Sequence, residues 1–274
     1  MDSLLVKNAE YIGASNRKSL YDLTIPKNWN GKLIVFIHGY MGFKDWGCWH
    51  LVEAYFVNNS YGFLKYNVSH NGGTTDNPID FPDPEAFSLN TYSKEIEDFS
   101  CVINHVVDHL VEKPAIYTIG HSRGGGIAAL HSQHPLVKKW CSWAGICSIG
   151  ERFPTGDELE TWKNQTYRYV KNGRTMQNLP LHYDQYRDYI SNTERLDIES
   201  YCKQNNKPCL LIHGSEDTSV LLKEGERLAQ WTKTQLQIIE GAQHTFNSSH
   251  PWNEETMPDA LVEACSKTLT FFES

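Results

Sequence analysis

The sequence predicts an α/β protein built on a mostly parallel sheet with helices on both faces. Three observations carry that expectation. Strand-like and helix-like segments alternate along most of the chain, as they do where parallel strands are joined by crossover helices. Leu33-Ile34-Val35-Phe36-Ile37 is an unbroken apolar run, the pattern of a strand buried on both faces. The chain has 274 residues, 40% of them hydrophobic and 21% charged, enough for a large domain with a substantial core.

In chain order, residues 17–24 read as an early edge strand and 33–37 as a central one. A helix is expected over 45–58 and a strand over 63–68. Pro78, Pro82 and Pro84 mark 70–88 as a long irregular loop. Ile96, Phe99, Ile103, Val106 and Leu110 recur at spacings of three and four, which puts them on one face of a helix. Glu95, Glu97 and Asp98 near its start suit the helix dipole. Strands at 115–119 and 139–147 flank a helix that starts at Ser122. Strands at 208–212 and 235–239 and helices near 219–231 and 257–272 complete the pattern. Residues 149–206 break the alternation and are too long for an ordinary connection. They are rich in aromatics, including Trp162, Tyr167, Tyr169 and Tyr183, and read as an inserted cap. The expected organisation is core 1–148, cap 149–206 and core 207–274.

Composition narrows the partners. Net charge is −8, with no basic block, which disfavours nucleic acid and anionic membrane. No stretch is apolar enough to span a bilayer. Met1 to Asn8 lacks a basic stretch followed by an apolar one, so the expected compartment is the cytoplasm. The seven cysteines have no paired C-x-x-C spacing and read as reduced thiols, not as a disulfide frame or zinc site. No metal or organic cofactor is expected. Asp76, Asp80, Asp83 and Glu85 read as a solvated loop.

The chemistry concentrates in three turns. Gly120-His121-Ser122-Arg123-Gly124 follows the strand 115–119 and opens a helix. In such a strand–turn–helix the serine hydroxyl stands above the sheet edge, and the flanking glycines leave room for the sharp turn. A serine hydroxyl needs a base to become a nucleophile, and that base needs an orienting group. His213-Gly214-Ser215-Glu216-Asp217 follows the strand 208–212, and Gly241-Ala242-Gln243-His244 follows the strand 235–239. Ser122, Asp217 and His244 are the expected nucleophile, acid and base. Glu216 is the rival acid, His250 the second base, and His121 and His213 read as packed residues. An acyl-transfer site also needs donors for the oxyanion. The Arg123 N–H and the Tyr40 N–H, in the loop His38-Gly39-Tyr40-Met41-Gly42, are the expected pair, with the Met41 N–H as the alternative to that of Tyr40. His70 and Met41 are the expected substrate contacts. Arg123, Arg152, Arg168 and Arg174 could each meet a substrate carboxylate, with a surface ion pair as the ordinary alternative.

With these pieces in this order, the chain resembles the α/β-hydrolase superfamily over nearly its whole length. His38-Gly39-Tyr40-Met41-Gly42-Phe43-Lys44 and Asn67-Val68-Ser69-His70-Asn71-Gly72 are most similar to its branch of feruloyl esterases and dienelactone-hydrolase-like proteins. The resemblance implies an α/β-hydrolase fold of about eight strands, with the cap between the sixth and seventh core strands. It implies a serine carboxylesterase acting on a small or medium ester through an acyl-enzyme on Ser122. A small serine aminopeptidase, a thioesterase or an acyltransferase could use the same residues, and a catalytically silent small-molecule-binding homologue is the non-enzymatic alternative. The expected partner is a small ester, with a homodimer left open.

Overall fold

A computed structural model describes residues 3–274; Met1 and Asp2, the first residues of the segment read for a leader, lie outside it. Eight strands form one sheet in the order β1-β2-β4-β3-β5-β6-β9-β10. They are β1 (Leu4–Ile12), β2 (Lys18–Ile25), β3 (Lys32–Ile37), β4 (Gly62–Tyr66), β5 (Ala115–His121), β6 (Val137–Trp143), β9 (Cys209–Gly214) and β10 (Leu236–Ile239). β1 and β2 pair antiparallel, β2 meets β4 antiparallel, and every pairing from β4 to β10 is parallel. The sheet is therefore mostly parallel, as expected.

β3 shows why its apolar run is continuous. Leu33, Val35 and Ile37 enter one core, and Ile34 and Phe36 enter the other. The first core is closed by α3 (Tyr92–His109), α4 (Arg123–Leu130), α7 (Ile198–Gln204) and α8 (Leu222–Thr232). The second is closed by α1 (Trp49–Asn58) and α9 (Asp259–Glu273), through Trp49, Phe56, Leu261 and Phe272. The α3 stripe read from the sequence is buried at Ile96, Phe99, Ile103 and Val106.

Three expectations are corrected. The edge strand is β1, and the segment read as an edge lies one place inside it. The 70–88 loop contains a short helix, α2 (Pro84–Ser88), because Pro84 occupies its first turn and the Asp83 carboxylate accepts the Ala86 N–H at 2.9 Å. β6 stops at Trp143, where Ala144 turns into the left-handed region with φ 48°.

Residues 149–206 lie between β6 and β9. They hold α5 (Gly156–Gln165), the antiparallel pair β7 (Tyr167–Lys171) and β8 (Asn178–His182), α6 (Asp184–Ser191) and α7. Trp162, Leu179, Leu181 and Tyr183 pack with Phe81 and Phe87 in a small core of their own. α7 differs: its Ile198 and Cys202 belong to the main core.

A buried charge network crosses the antiparallel side of the sheet. The Lys65 ammonium lies 2.7 Å from Asp45, 3.1 Å from Glu53 and 3.3 Å from Asp22. Lys44 lies 2.9 Å from Asp22, and Lys7 lies 2.7 Å from Glu53. Burial works against the Lys65 charge, but Asp45 and Glu53 outweigh it and raise its pKa. Lys65→Met is expected to destabilise the fold by about 3–5 kcal/mol, because it leaves buried carboxylates short of a cation. A urea titration reads the loss, and a change below about 1 kcal/mol would mean that the network contributes no more than a surface pair.

Candidate active site

The Ser122 turn is held open by backbone geometry. Ser122 sits between β5 and α4 at φ 59° and ψ −119°, a conformation that costs about 1–3 kcal/mol for a non-glycine residue. Neighbouring strands over-determine it. The Ser122 N–H donates to the Trp143 carbonyl at 2.9 Å, and the Ser122 carbonyl accepts from Gly125 at 2.9 Å and Ile146 at 3.2 Å. The flanking glycines are sterically required. A Cβ on Gly120 would stand 2.0 Å from the Gly124 carbonyl oxygen, and one on Gly124 would stand 2.1 Å from that of Ile37.

Three strand ends bring the expected residues together. His244 Nε2 lies 2.9 Å from Ser122 Oγ, and His244 Nδ1 lies 2.8 Å from Asp217 Oδ2. The turns that carry the acid and the histidine are tied together, since the Glu216 N–H donates to the Ala242 carbonyl at 3.0 Å. Asp217 lies between two histidines. Its Oδ1 accepts the N–H groups of Ser219 at 2.8 Å and Val220 at 2.9 Å, and His213 Nε2, which donates to the Val220 carbonyl at 2.8 Å, lies 3.3 Å from Oδ2. Burial works to raise the Asp217 pKa, but the hydrogen bonds from His213, His244 and Val220 outweigh it and hold the carboxyl well below its usual range. His121 donates from Nε2 to the His244 carbonyl at 2.9 Å. Burial, helped by His244, pushes the His121 pKa down to about 3, so the ring acts as a neutral support.

Tyr40 and Arg123 flank the serine. His38 fixes the Tyr40 loop: its Nδ1–H donates to the Gly39 carbonyl at 2.9 Å, and its Nε2 accepts the Val68 N–H at 3.1 Å. Arg123 heads α4, where first-turn N–H groups have no partner within the helix. Its guanidinium is 2.9 Å from Glu95 and lies over the rings of Tyr40 at 4.2 Å and Tyr92 at 4.5 Å. Burial opposes its charge, but Tyr92, Glu95 and Tyr40 outweigh it and keep the group protonated.

Two cavities meet at Tyr40, Ser122 and His244. One of about 470 Å³ runs under the 149–206 segment, between Arg123, Arg152, Phe153, Arg168, Tyr169 and Gln185. The other, of about 280 Å³, lies over Met41, Trp46, Trp49 and Arg174. Met41 is thus at the site. His70 lines neither cavity. It is buried, with Nδ1 2.8 Å from the Ser69 hydroxyl, and burial together with Lys94 and Arg17 lowers its pKa to about 4. Glu216 is exposed, and His250 accepts the Gly47 N–H at 2.9 Å against the Trp46 ring. His121 and His213 are buried, as expected of packed residues, with backbone carbonyls as partners. Sequence reasoning passed over the tryptophans of the second cavity. Among the described residues no His, Cys, Asp and Glu cluster could hold a metal, and no helix is long and apolar enough to cross a membrane. All seven cysteines are free.

The strand order, the turn at Ser122 and the Ser–His–Asp hydrogen-bond chain define an α/β-hydrolase fold. The chain belongs to the alpha/beta hydrolase family, whose sequence model matches residues 34–264. No curated protein matches it in sequence. Its fold is similar to Est1E from Butyrivibrio proteoclasticus, solved with ferulic acid, at a TM-score of 0.72 and 20% identity, covering 96% of this chain and 98% of that one. It is also similar to the Pyrococcus furiosus esterase Pf2001, at 0.64 and 17%, covering 99% and 92%. Dienelactone hydrolase from Anabaena variabilis aligns at 0.64 and 16%, covering 100% and 98%.

Proposed function

We propose that the protein is a serine hydrolase that cleaves a carboxylic ester through an acyl-enzyme on Ser122. One observation carries the reading: the chain Asp217–His244–Ser122, linked at 2.8 and 2.9 Å, ends on a hydroxyl where two cavities meet. Asp217 fixes the His244 tautomer that leaves Nε2 free to accept a proton. His244 takes the Ser122 proton as Oγ attacks the ester carbonyl. The N–H groups of Tyr40 and Arg123 hold the developing oxyanion. The alcohol leaves with the proton from His244, and water, activated by the same base, releases the acid and frees Ser122.

Solved esterases of the same fold support this reading. The cavities on either side of Ser122 also give separate room for the acyl and alcohol parts of a substrate. The 149–206 segment, through Phe153, Arg168 and Tyr169, forms the wall of the larger one, which is the role of a cap. The test is labelling with a fluorophosphonate beside turnover of short p-nitrophenyl esters and aminoacyl-naphthylamides. The expected result is one phosphonyl adduct, mapped to Ser122, and turnover of the esters. An unlabelled protein would remove the acyl-enzyme mechanism, and turnover confined to the naphthylamides would make it a peptidase.

A further inference from the structure

Three arginines line the larger cavity beside Ser122, and no aspartate or glutamate does. Two of the three are neutralised from behind. Arg123 pairs with Glu95, whose side chain is 5% exposed. Arg152 pairs with Glu224, also 5% exposed. Arg168 is different. Its ion-pair partner among the described residues is Glu158, 3.3 Å away and 71% exposed, a contact of the kind that contributes little in water. Its Nε is buried without a hydrogen-bond partner. Its guanidinium carbon lies over the Trp162 ring, 4.6 Å from the centroid, a cation–π contact that favours this placement. Its charge also reaches the Tyr40 phenol at the mouth of the nucleophile turn. Burial pushes that phenol up to about 12, with Arg123 and Arg168 pulling the other way.

We infer that Arg168 is a specificity-determining residue that binds a carboxylate on the substrate, so that the preferred ester carries one negative charge on the part held in the larger cavity. This rests on the ester-hydrolase reading above and names its substrate class. An unpaired guanidinium nitrogen is costly, and the 30% of the Arg168 side chain that stays exposed is the part an acceptor in the cavity meets. The planar fork matches a carboxylate, in which two N–H groups meet two oxygens. A single cation whose own partner is the solvent-exposed Glu158 suits a monoanion better than a doubly charged phosphate.

The experiment compares isosteric pairs in the wild-type protein at low salt. p-Nitrophenyl hemiglutarate against p-nitrophenyl 5-methylhexanoate puts the charge on the acyl side. 4-Acetoxybenzoate against 4-acetoxybenzamide puts it on the alcohol side. In one pair the anionic ester is expected to be favoured by about tenfold or more in kcat/KM, mostly through KM. The preference should fall toward unity in Arg168→Gln and return in part in Arg168→Lys. Because Arg168 also packs on Trp162, the readout is the ratio of two esters in the same protein, which does not depend on how much of a variant folds. Turnover of the neutral esters without an anionic preference overturns this inference alone, as does a preference unchanged in Arg168→Gln. Turnover of neither pair overturns the ester-hydrolase reading and this inference with it.

Discussion

Ser122→Ala is expected to lower kcat for an activated aryl ester by about 10⁴-fold or more while leaving the fold intact. The substitution removes one oxygen whose hydrogen-bond partner is His244 Nε2, at 2.9 Å. The backbone at φ 59° stays fixed by the Trp143 carbonyl and by the Gly125 and Ile146 N–H groups, none of which involve the side chain. Alanine tolerates that backbone as well as serine does, so the unfolding midpoint should move little. The loss is not additive with that of the base. In a unit where His244 works only by taking the Ser122 proton, His244→Ala and the double variant should each sit near Ser122→Ala. Steady-state kinetics on the three variants checks this. A double variant much slower than either single one would mean that the two residues act independently.

How far the sequence carried this reading depended on how local each signal was. β3 was legible because burial on both faces writes itself as Leu33 to Ile37 without a polar break. The turns of Ser122, Asp217 and His244 were legible because each follows such a strand, and the ends of parallel strands gather at one edge. β1 was missed because, with Tyr11 its one fully buried residue, it carries no apolar pattern; pairing with β2 forms it. The strands β7 and β8 escaped for a related reason. β7 leaves Tyr167 and Tyr169 exposed, so the aromatics that marked the inserted cap lie partly on the surface. His70 shows the limit most clearly. It follows β4 at the expected edge of the sheet, but its ring turns to Ser69, whose hydroxyl is tied 3.0 Å from the buried Asp98 of α3. That choice depends on a helix that begins some twenty residues later. The pairing of Arg123 with Glu95 is equally non-local, and without it the weakly paired charge of Arg168 could not be singled out among four arginines.

Asp217→Asn should cost about 10⁴-fold in kcat although the side chain barely changes shape. Three donors converge on the carboxylate: the N–H groups of Ser219 and Val220 on Oδ1, and His244 Nδ1 on Oδ2. His213 Nε2 stands 3.3 Å from Oδ2 while donating to the Val220 carbonyl at 2.8 Å. An asparagine has one acceptor to offer. If its oxygen keeps the two backbone N–H groups, its amide nitrogen faces His244 Nδ1. That nitrogen must then accept, which moves the imidazole proton to Nε2 and points it at Ser122 Oγ. A base in that tautomer cannot take the serine proton, so the loss falls on kcat, with KM little changed. A second readout follows from linkage. The folded-state pKa of Asp217 lies below its ordinary 3.8. Its contribution to stability is therefore fully present above that value and is lost as pH falls through the folded pKa. The stability gap between wild type and Asp217→Asn should be widest near neutral pH and should narrow in acid below about pH 4. Denaturant titrations at neutral and acidic pH measure that gap, and stopped-flow hydrolysis measures the rate. A variant within tenfold of the wild-type kcat would take the orienting role away from Asp217. A gap that stayed constant with pH would mean that the three hydrogen bonds do not depend on its charge.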